Sequence, residues 1–308
     1  MSQRERALAY FLQTIANGLH NGALYALLAY GYVLTYSVTK RANLAHGAVF
    51  AFSGQILVLG ATVGYTVLWM TLPAALAFGA LTSIVLTVIV LMVLALTIVP
   101  RFIDLAPNMM ITTTLGVAIV LMEGARIGAD TRDYWLPPLL NARVGLSPLA
   151  IAPTLTALQI VNIAAIAAVI AASQVVLTRT LAGRALRAVS DDPVAANLCG
   201  IDAAKVRRNA VLAGGALAAV GGMLATLFFG NMSFGAGLFY GLKVLFIASA
   251  GGFSKPLHAA VGAFLFGEAE ALWDGYFPIV WRELVFYSLL ALLLCLRTEH
   301  RLTQTQRF

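Results

Sequence analysis

The ionisable and polar residues set inside apolar sequence are the ones whose chemistry matters first. Glu268 and Glu270 lie two apart in "GEAEALW"; on a helix that spacing puts them on nearly opposite faces, so at most one faces a shared pathway. Glu270 can reach Asp274 one turn on, near a water interface, which is a structural pairing. Glu268 sits deeper, where a buried hydrogen bond and a place in a translocation path are both open readings. Glu123 and Arg126 are three apart near the end of an apolar span, and local ion pairing accounts for them. Asn43 and His46 in "NLAHG", with Gly47 allowing a break, either cap backbone groups or line a cavity beside an interrupted helix.

Other chemistry finds no footing. The four lysines, Lys40, Lys205, Lys243 and Lys255, follow Thr, Ala, Leu and Ser, whereas a phosphate-binding loop of the Walker type needs Gly immediately before its Lys. The chain is therefore not expected to hydrolyse ATP by that route, and energy for any transport must come from a partner or an ion gradient. Cys199 and Cys295 are far apart and form no CxxC or Cys/His cluster, so neither a metal nor a redox role is expected. No Ser/His/Asp or paired-carboxylate arrangement stands in an enzyme-like context.

The elements that must position these residues are membrane helices. Of 308 residues, 60% are hydrophobic and only 11% charged, against roughly 25% charged in a soluble domain. Apolar segments at about 10–38, 44–65, 67–99, 109–127, 150–178, 209–229, 238–251, 257–273 and 283–296 predict an all-α polytopic membrane protein with about 8–10 transmembrane or partly re-entrant helices, since roughly 20 apolar residues cross a bilayer core. The whole of 1–308 reads as one transmembrane domain, with no polar stretch long enough to bury a core of its own. The segment 238–251 is short and holds Lys243, which suggests a broken or re-entrant element. The net charge of +7 lies in loops beside apolar spans, the pattern of topology rather than of nucleic-acid binding. It places 179–208 and the tail 297–308 on the cytoplasmic side and 128–149 outside. Gly214, Ala218 and Gly222 recur every four residues, a small-residue face along which helices can approach closely in lipid.

One polar stretch stands out: "GRALRAVSDDPVAANLCGIDAAKVRR" at 183–208 carries eight charged residues between two apolar runs. Asp191 and Asp192 before Pro193, and Gly200 after Cys199, write a cap, a helix-compatible proline, seven helical residues and a glycine stop. Asp202 then caps a longer helix. A helix so short is marginal alone. Val194, Ala195, Leu198 and the following Ile201 offer a small apolar face that a groove on a cytoplasmic protein would accept; an ordinary connecting loop shaped by its caps is the equal alternative from the residues themselves.

"NGLHNGALYALLAYGYVLTYSVTKRANLAHGAVFAFSG" at 17–54, "GRALRAVSDDPVAANLCGID" at 183–202 and "GEAEALW" at 267–273 closely resemble permease subunits of the branched-chain amino-acid ABC importer family, in the same order and spacing over nearly the whole chain. The resemblance implies a multi-pass permease of the bacterial inner (plasma) membrane, partnered by a second, related permease, two cytoplasmic ATPase subunits and a periplasmic substrate-binding protein. It implies no cofactor in this chain, ATP and Mg being used by the ATPases. It also makes the segment with Gly183, Arg184, Arg187, Asp191, Asp192, Pro193, Val194, Ala195, Leu198, Gly200 and Ile201 the ATPase-coupling element. The stretch 251–262, "GGFSKPLHAAVG", departs from the Gly-rich run expected there. Since relatives of this family carry urea, amides and carboxylic acids, amino acids are the first expectation for cargo and those solutes the alternative. An ion-coupled secondary transporter, with Glu268 or Glu123 as coupling carboxylate, is the first rival class, and a structural or assembly subunit without a translocation role the second.

Overall fold

A computed structural model describes residues 3–103, 107–145, 153–251 and 255–292. The tail 297–308 and the centre of the atypical 251–262 segment lie outside the described residues. Among the described residues the chain is all-α apart from one short antiparallel strand pair: α1 (Gln3–Thr39), α2 (Ala45–Thr66), α3 (Leu72–Val93), α4 (Val99–Phe102), α5 (Pro107–Gly128), α6 (Ala157–Arg179), α7 (Leu181–Asp191), α8 (Pro193–Leu198), α9 (Ala203–Phe229), α10 (Ala236–Gly251) and α11 (Pro256–Tyr276). A helical run at 282–292 follows. A π turn at Leu94–Ile98 joins α3 to α4. It accommodates Pro100, which has no N–H to give and whose ring would strike the carbonyl four residues back in a regular helix.

Among the described residues, five helices are long and apolar enough to cross a membrane: α2, the continuous 72–102 rod, α5, α6 and α9. The central helix α1 is not among them, although its residues from Ala23 to Leu34 are all buried. The reason is environmental. α1 is packed by α11, α9, α6 and α10, so its polar groups meet protein and need not be apolar to avoid lipid. His20, fully buried, lies 3.2 Å from the Asn162 amide of α6, and that amide also donates to the Leu224 carbonyl of α9 at 3.0 Å. By contrast only 11% of the most apolar window of α6 is buried; this helix presents its Val and Ala side chains outward, as a lipid-facing or partner-facing helix must.

α9 binds the two halves of the core. A Cβ on Gly214 would meet the Gly31 carbonyl and Thr35 of α1, and one on Gly222 would run into the Phe50 carbonyl and Ser53 of α2. Ala218, between them, is fully buried. The Ser53 hydroxyl donates to the Ala219 carbonyl at 2.9 Å, a polar contact that only this close approach permits. Gly222→Leu is accordingly expected to force α2 off α9, at about 1–3 kcal/mol or more for overpacking, with loss of monodisperse protein and a lowered thermal midpoint in detergent. A wild-type midpoint in that variant would show that the two backbones are not in contact.

Of the segment 128–149, the described residues 129–145 form a strap rather than a plain loop. Strands β1 (Arg143–Gly145) and β2 (Thr154–Thr156) pair antiparallel, which three-residue strands in a polar segment did not announce. Leu136 N–H donates to the Gly230 carbonyl at 2.7 Å, and the Asn231 amide donates to the Tyr134 carbonyl at 3.0 Å. The strap is thereby tied to the C-terminal end of α9, while 181–202 leads into its N-terminal end. At ~1.5 Å per residue α9 is roughly 40 Å long, so the two polar segments lie at opposite ends of a membrane-length rod.

Candidate functional site

The charged stretch 179–208 folds into two short helices ahead of α9, and its caps are the ones its residue types demand. The Thr180 hydroxyl accepts from Gly183 N–H at 3.2 Å to open α7. Gly183 is buried against the Leu177 backbone, leaving no room for a Cβ, and the Arg187 guanidinium donates to the Leu177 carbonyl; together they fix the α6–α7 corner. Arg184 and Asp191 point to solvent. Asp192 caps α8, its carboxylate accepting from Val194 N–H at 2.8 Å and Ala195 N–H at 3.1 Å, and Pro193 occupies the first turn, where no N–H is needed. Gly200 takes φ +83°, the left-handed conformation that ends such a helix. Asp202 caps α9 through Lys205 N–H at 2.9 Å, and the Asn197 side chain accepts from Ala203 N–H at 3.0 Å. α8 runs over six residues, one fewer than the sequence suggests, because Cys199 already leaves helical geometry.

The two faces of α8 differ sharply. Ala196 is 5% exposed and packs with Val38, Val189, Ala203 and Ala210, which anchors the helix to α1, α7 and α9. Val194 and Leu198 are 67% and 86% exposed, Ala195 is exposed, and Ile201 is half-buried. Two large aliphatic side chains thus project from a helix rigidly held at both ends, beside exposed Cys199.

A second cluster is buried between α1, α10 and α11. Lys243 Nζ lies 2.8 Å from Glu270 Oε1, both side chains 7% exposed. The other Glu270 oxygen accepts from the Tyr25 hydroxyl at 2.7 Å, and Lys243 also lies 3.4 Å from Glu283 and over the Tyr25 ring at 5.5 Å. Arg282 continues the chain of charges outward, at 3.0 Å from Glu283 and 2.7 Å from Asp274. The expected Glu270–Asp274 association is therefore corrected: the two carboxylates, one turn apart, each take a different cation. At 16 residues, α10 is about 24 Å long, short of the ~30 Å hydrocarbon core, and the ion pair ties this short helix to its neighbours.

The residues read as a possible translocation path are all internal contacts. The Asn43 side chain accepts from Ala45 N–H at 3.0 Å. His46 Nε2 lies 3.1 Å from the Leu28 carbonyl, its ring edge-on to Tyr32. Gly47 abuts Gly237 and Gly241, where a side chain would separate α2 from α10. Glu268 packs against Gly18 of α1, its oxygens enclosed without a hydrogen-bond partner among the described residues. Glu123 pairs with Arg126 at 2.6 Å.

The fold and these sites define an all-α polytopic membrane protein: spans enclosing a polar-lined central helix, with a charged, capped segment displayed at one end. Residues 14–294 match the family described as the branched-chain amino acid transport system / permease component, and the chain belongs to that family. Over 291 residues it is 28% identical to the high-affinity branched-chain amino acid transport system permease protein LivH of Salmonella typhimurium and to LivH of Escherichia coli K12, covering 92% of this chain and 93% of each relative. It is 27% identical over 302 residues to the corresponding protein BraD of Pseudomonas aeruginosa, covering 94% of both chains. No solved structure matches the chain.

Proposed function

We propose that the chain is the permease subunit of a bacterial inner-membrane ABC importer that passes a small polar solute, branched-chain or other amino acids first, received from a periplasmic binding protein. Two separate ATPase subunits, using ATP and Mg, supply the energy, and a second, related permease completes the channel. The segment 179–208 and the C-terminus face the cytoplasm in this reading, and α8 is the helix that seats in an ATPase groove. The observation that carries it is α8 itself: doubly capped, anchored through Ala196, and displaying Val194 and Leu198 to solvent. A simple connection gains nothing from holding two large apolar side chains rigidly in water, whereas a docking helix needs exactly this division of faces.

The ion-coupled alternative draws less support, because, of its two carboxylates, Glu123 is paired with Arg126 at the surface, which leaves Glu268, packed against Gly18 of α1, to carry it alone. The test is copurification of ATPase subunits with the tagged chain, then ATP-dependent uptake by the reconstituted assembly of amino acids, urea, amides and carboxylates. Uptake driven by a proton or sodium gradient without ATP would overturn the importer reading. ATP-driven uptake of urea or a carboxylate alone would keep the class and change the cargo.

A further inference from the structure

A cleft of about 650 Å³ opens between α1, α6, α7 and α9, beside the coupling segment. Its α9 wall is graded. Lys205, Asn209, Ala213 and Leu217 line it at four-residue intervals, so they form one stripe running from the helix N-terminus inward. Charge comes first, then an amide, then a methyl, then a large aliphatic group. The opposite walls are aliphatic: Leu34 of α1, Leu177 of α6 and Leu186 of α7. From Lys205 to Leu217 the stripe covers roughly 18 Å at ~1.5 Å per residue, slightly more than the ~15 Å of one leaflet's hydrocarbon.

The level of the membrane surface is marked independently by α7. Its Val189 turns into the protein and its Leu186 lines the cleft, while Arg184 is exposed and Arg187, also exposed, donates to the Leu177 carbonyl, the arrangement of a helix lying in the interfacial plane with its basic face towards headgroups. Lys205 is therefore at headgroup height, and Leu217 reaches towards the bilayer midplane. The outer side of α6, with Val175 58% and Val176 49% exposed, faces away from the helical core, so the cleft borders whatever surrounds the chain.

We infer that this cleft binds one anionic glycerophospholipid from the leaflet on the coupling-segment side, its phosphate at Lys205 and one acyl chain along α9 to Leu217. A protein side-chain ridge would not require a cation at one end only, nor a gradient of polarity matched to leaflet depth. The inference depends on the membrane placement of the helices and not on the transported solute or its driving force. A lipid there fills the space under α7, and so supports the corner from which α8 projects.

Native mass spectrometry of the delipidated full-length protein, titrated with phosphatidylglycerol or phosphatidylcholine of equal chain length, tests it. Wild-type protein is expected to retain phosphatidylglycerol preferentially. Lys205→Gln, at an exposed position, is expected to reduce phosphatidylglycerol retention about fivefold, the effect of one cation at an anionic surface, without changing phosphatidylcholine retention. Ala213→Phe, which fills the cleft below the headgroup, should lower retention of both. Equal retention of the two lipids by wild type and Lys205→Gln would overturn the inference. So would cross-linking of an Ala213→Cys variant to a second permease in an assembly that holds no lipid at this place, which would make the cleft a protein interface.

Discussion

Lys243→Met is expected to destabilise the protein by about 3–5 kcal/mol, the usual cost of deleting one partner of a buried ion pair. Methionine keeps most of the side-chain volume, so the loss is electrostatic rather than a cavity effect. Glu270 would remain 6% exposed with only the Tyr25 hydroxyl, 2.7 Å away, to hold its charge. Glu283 cannot replace the lysine, being an anion itself. The double variant Lys243→Met with Glu270→Gln removes both charges and leaves an amide that can still accept from Tyr25. It should recover most of the lost stability, because two neutral groups carry no ionic desolvation penalty. Thermal midpoints in detergent of the wild type, both single variants and the double variant form a complete cycle. Additive losses, with the double variant worse than either single one, would mean that Lys243 and Glu270 do not form a buried pair.

This pair also shows where sequence reasoning reaches its limit. Asp192, Pro193, Gly200 and Asp202 could be read directly because caps are satisfied within three residues of themselves, and the structure realises each of them. The partner of Glu270 could not be read, because Lys243 lies on another helix and Tyr25 on a third. Local spacing offered Asp274 as a neighbour, but a carboxylate chooses a cation across a helix interface over another carboxylate one turn away. Depth along α11 likewise pointed to Glu268 as the notable residue, while burial and pairing single out Glu270. Helix order within the membrane was legible where lipid contact demands apolar runs, as in α6. α1 was legible too, as the apolar run at about 10–38, although its shielding by protein lets it carry buried polar residues such as His20. The β1–β2 strap was invisible for a different reason, since three-residue strands carry too little alternation to register.

Ala196→Pro and Leu198→Asp should both uncouple ATP hydrolysis from transport, by separable routes. Ala196 N–H donates to the Asp192 carbonyl at 3.0 Å, and the Ala196 carbonyl accepts from Ile201 N–H at 3.0 Å. Proline removes the first bond and drives its ring against that Asp192 carbonyl, a local cost of about 3 kcal/mol or more. It also enlarges a side chain enclosed by Val38, Val189, Ala203 and Ala210. α8 should therefore lose its shape and its seat, while the membrane core, which it only abuts, stays folded. Leu198 is 86% exposed, so Leu198→Asp should leave the stability of the isolated chain within about 0.5 kcal/mol of wild type. Its cost arises only when a partner covers the position: burying an unpaired carboxylate in an apolar groove costs at least a few kcal/mol, and about 2 kcal/mol corresponds to roughly thirtyfold weaker association. Wild-type thermal stability together with lost ATPase copurification and lost substrate-stimulated hydrolysis in reconstituted vesicles is the expected signature of Leu198→Asp. If that variant copurifies ATPase and hydrolyses ATP on substrate addition as the wild type does, the exposed face of α8 is not a docking surface for an ATPase.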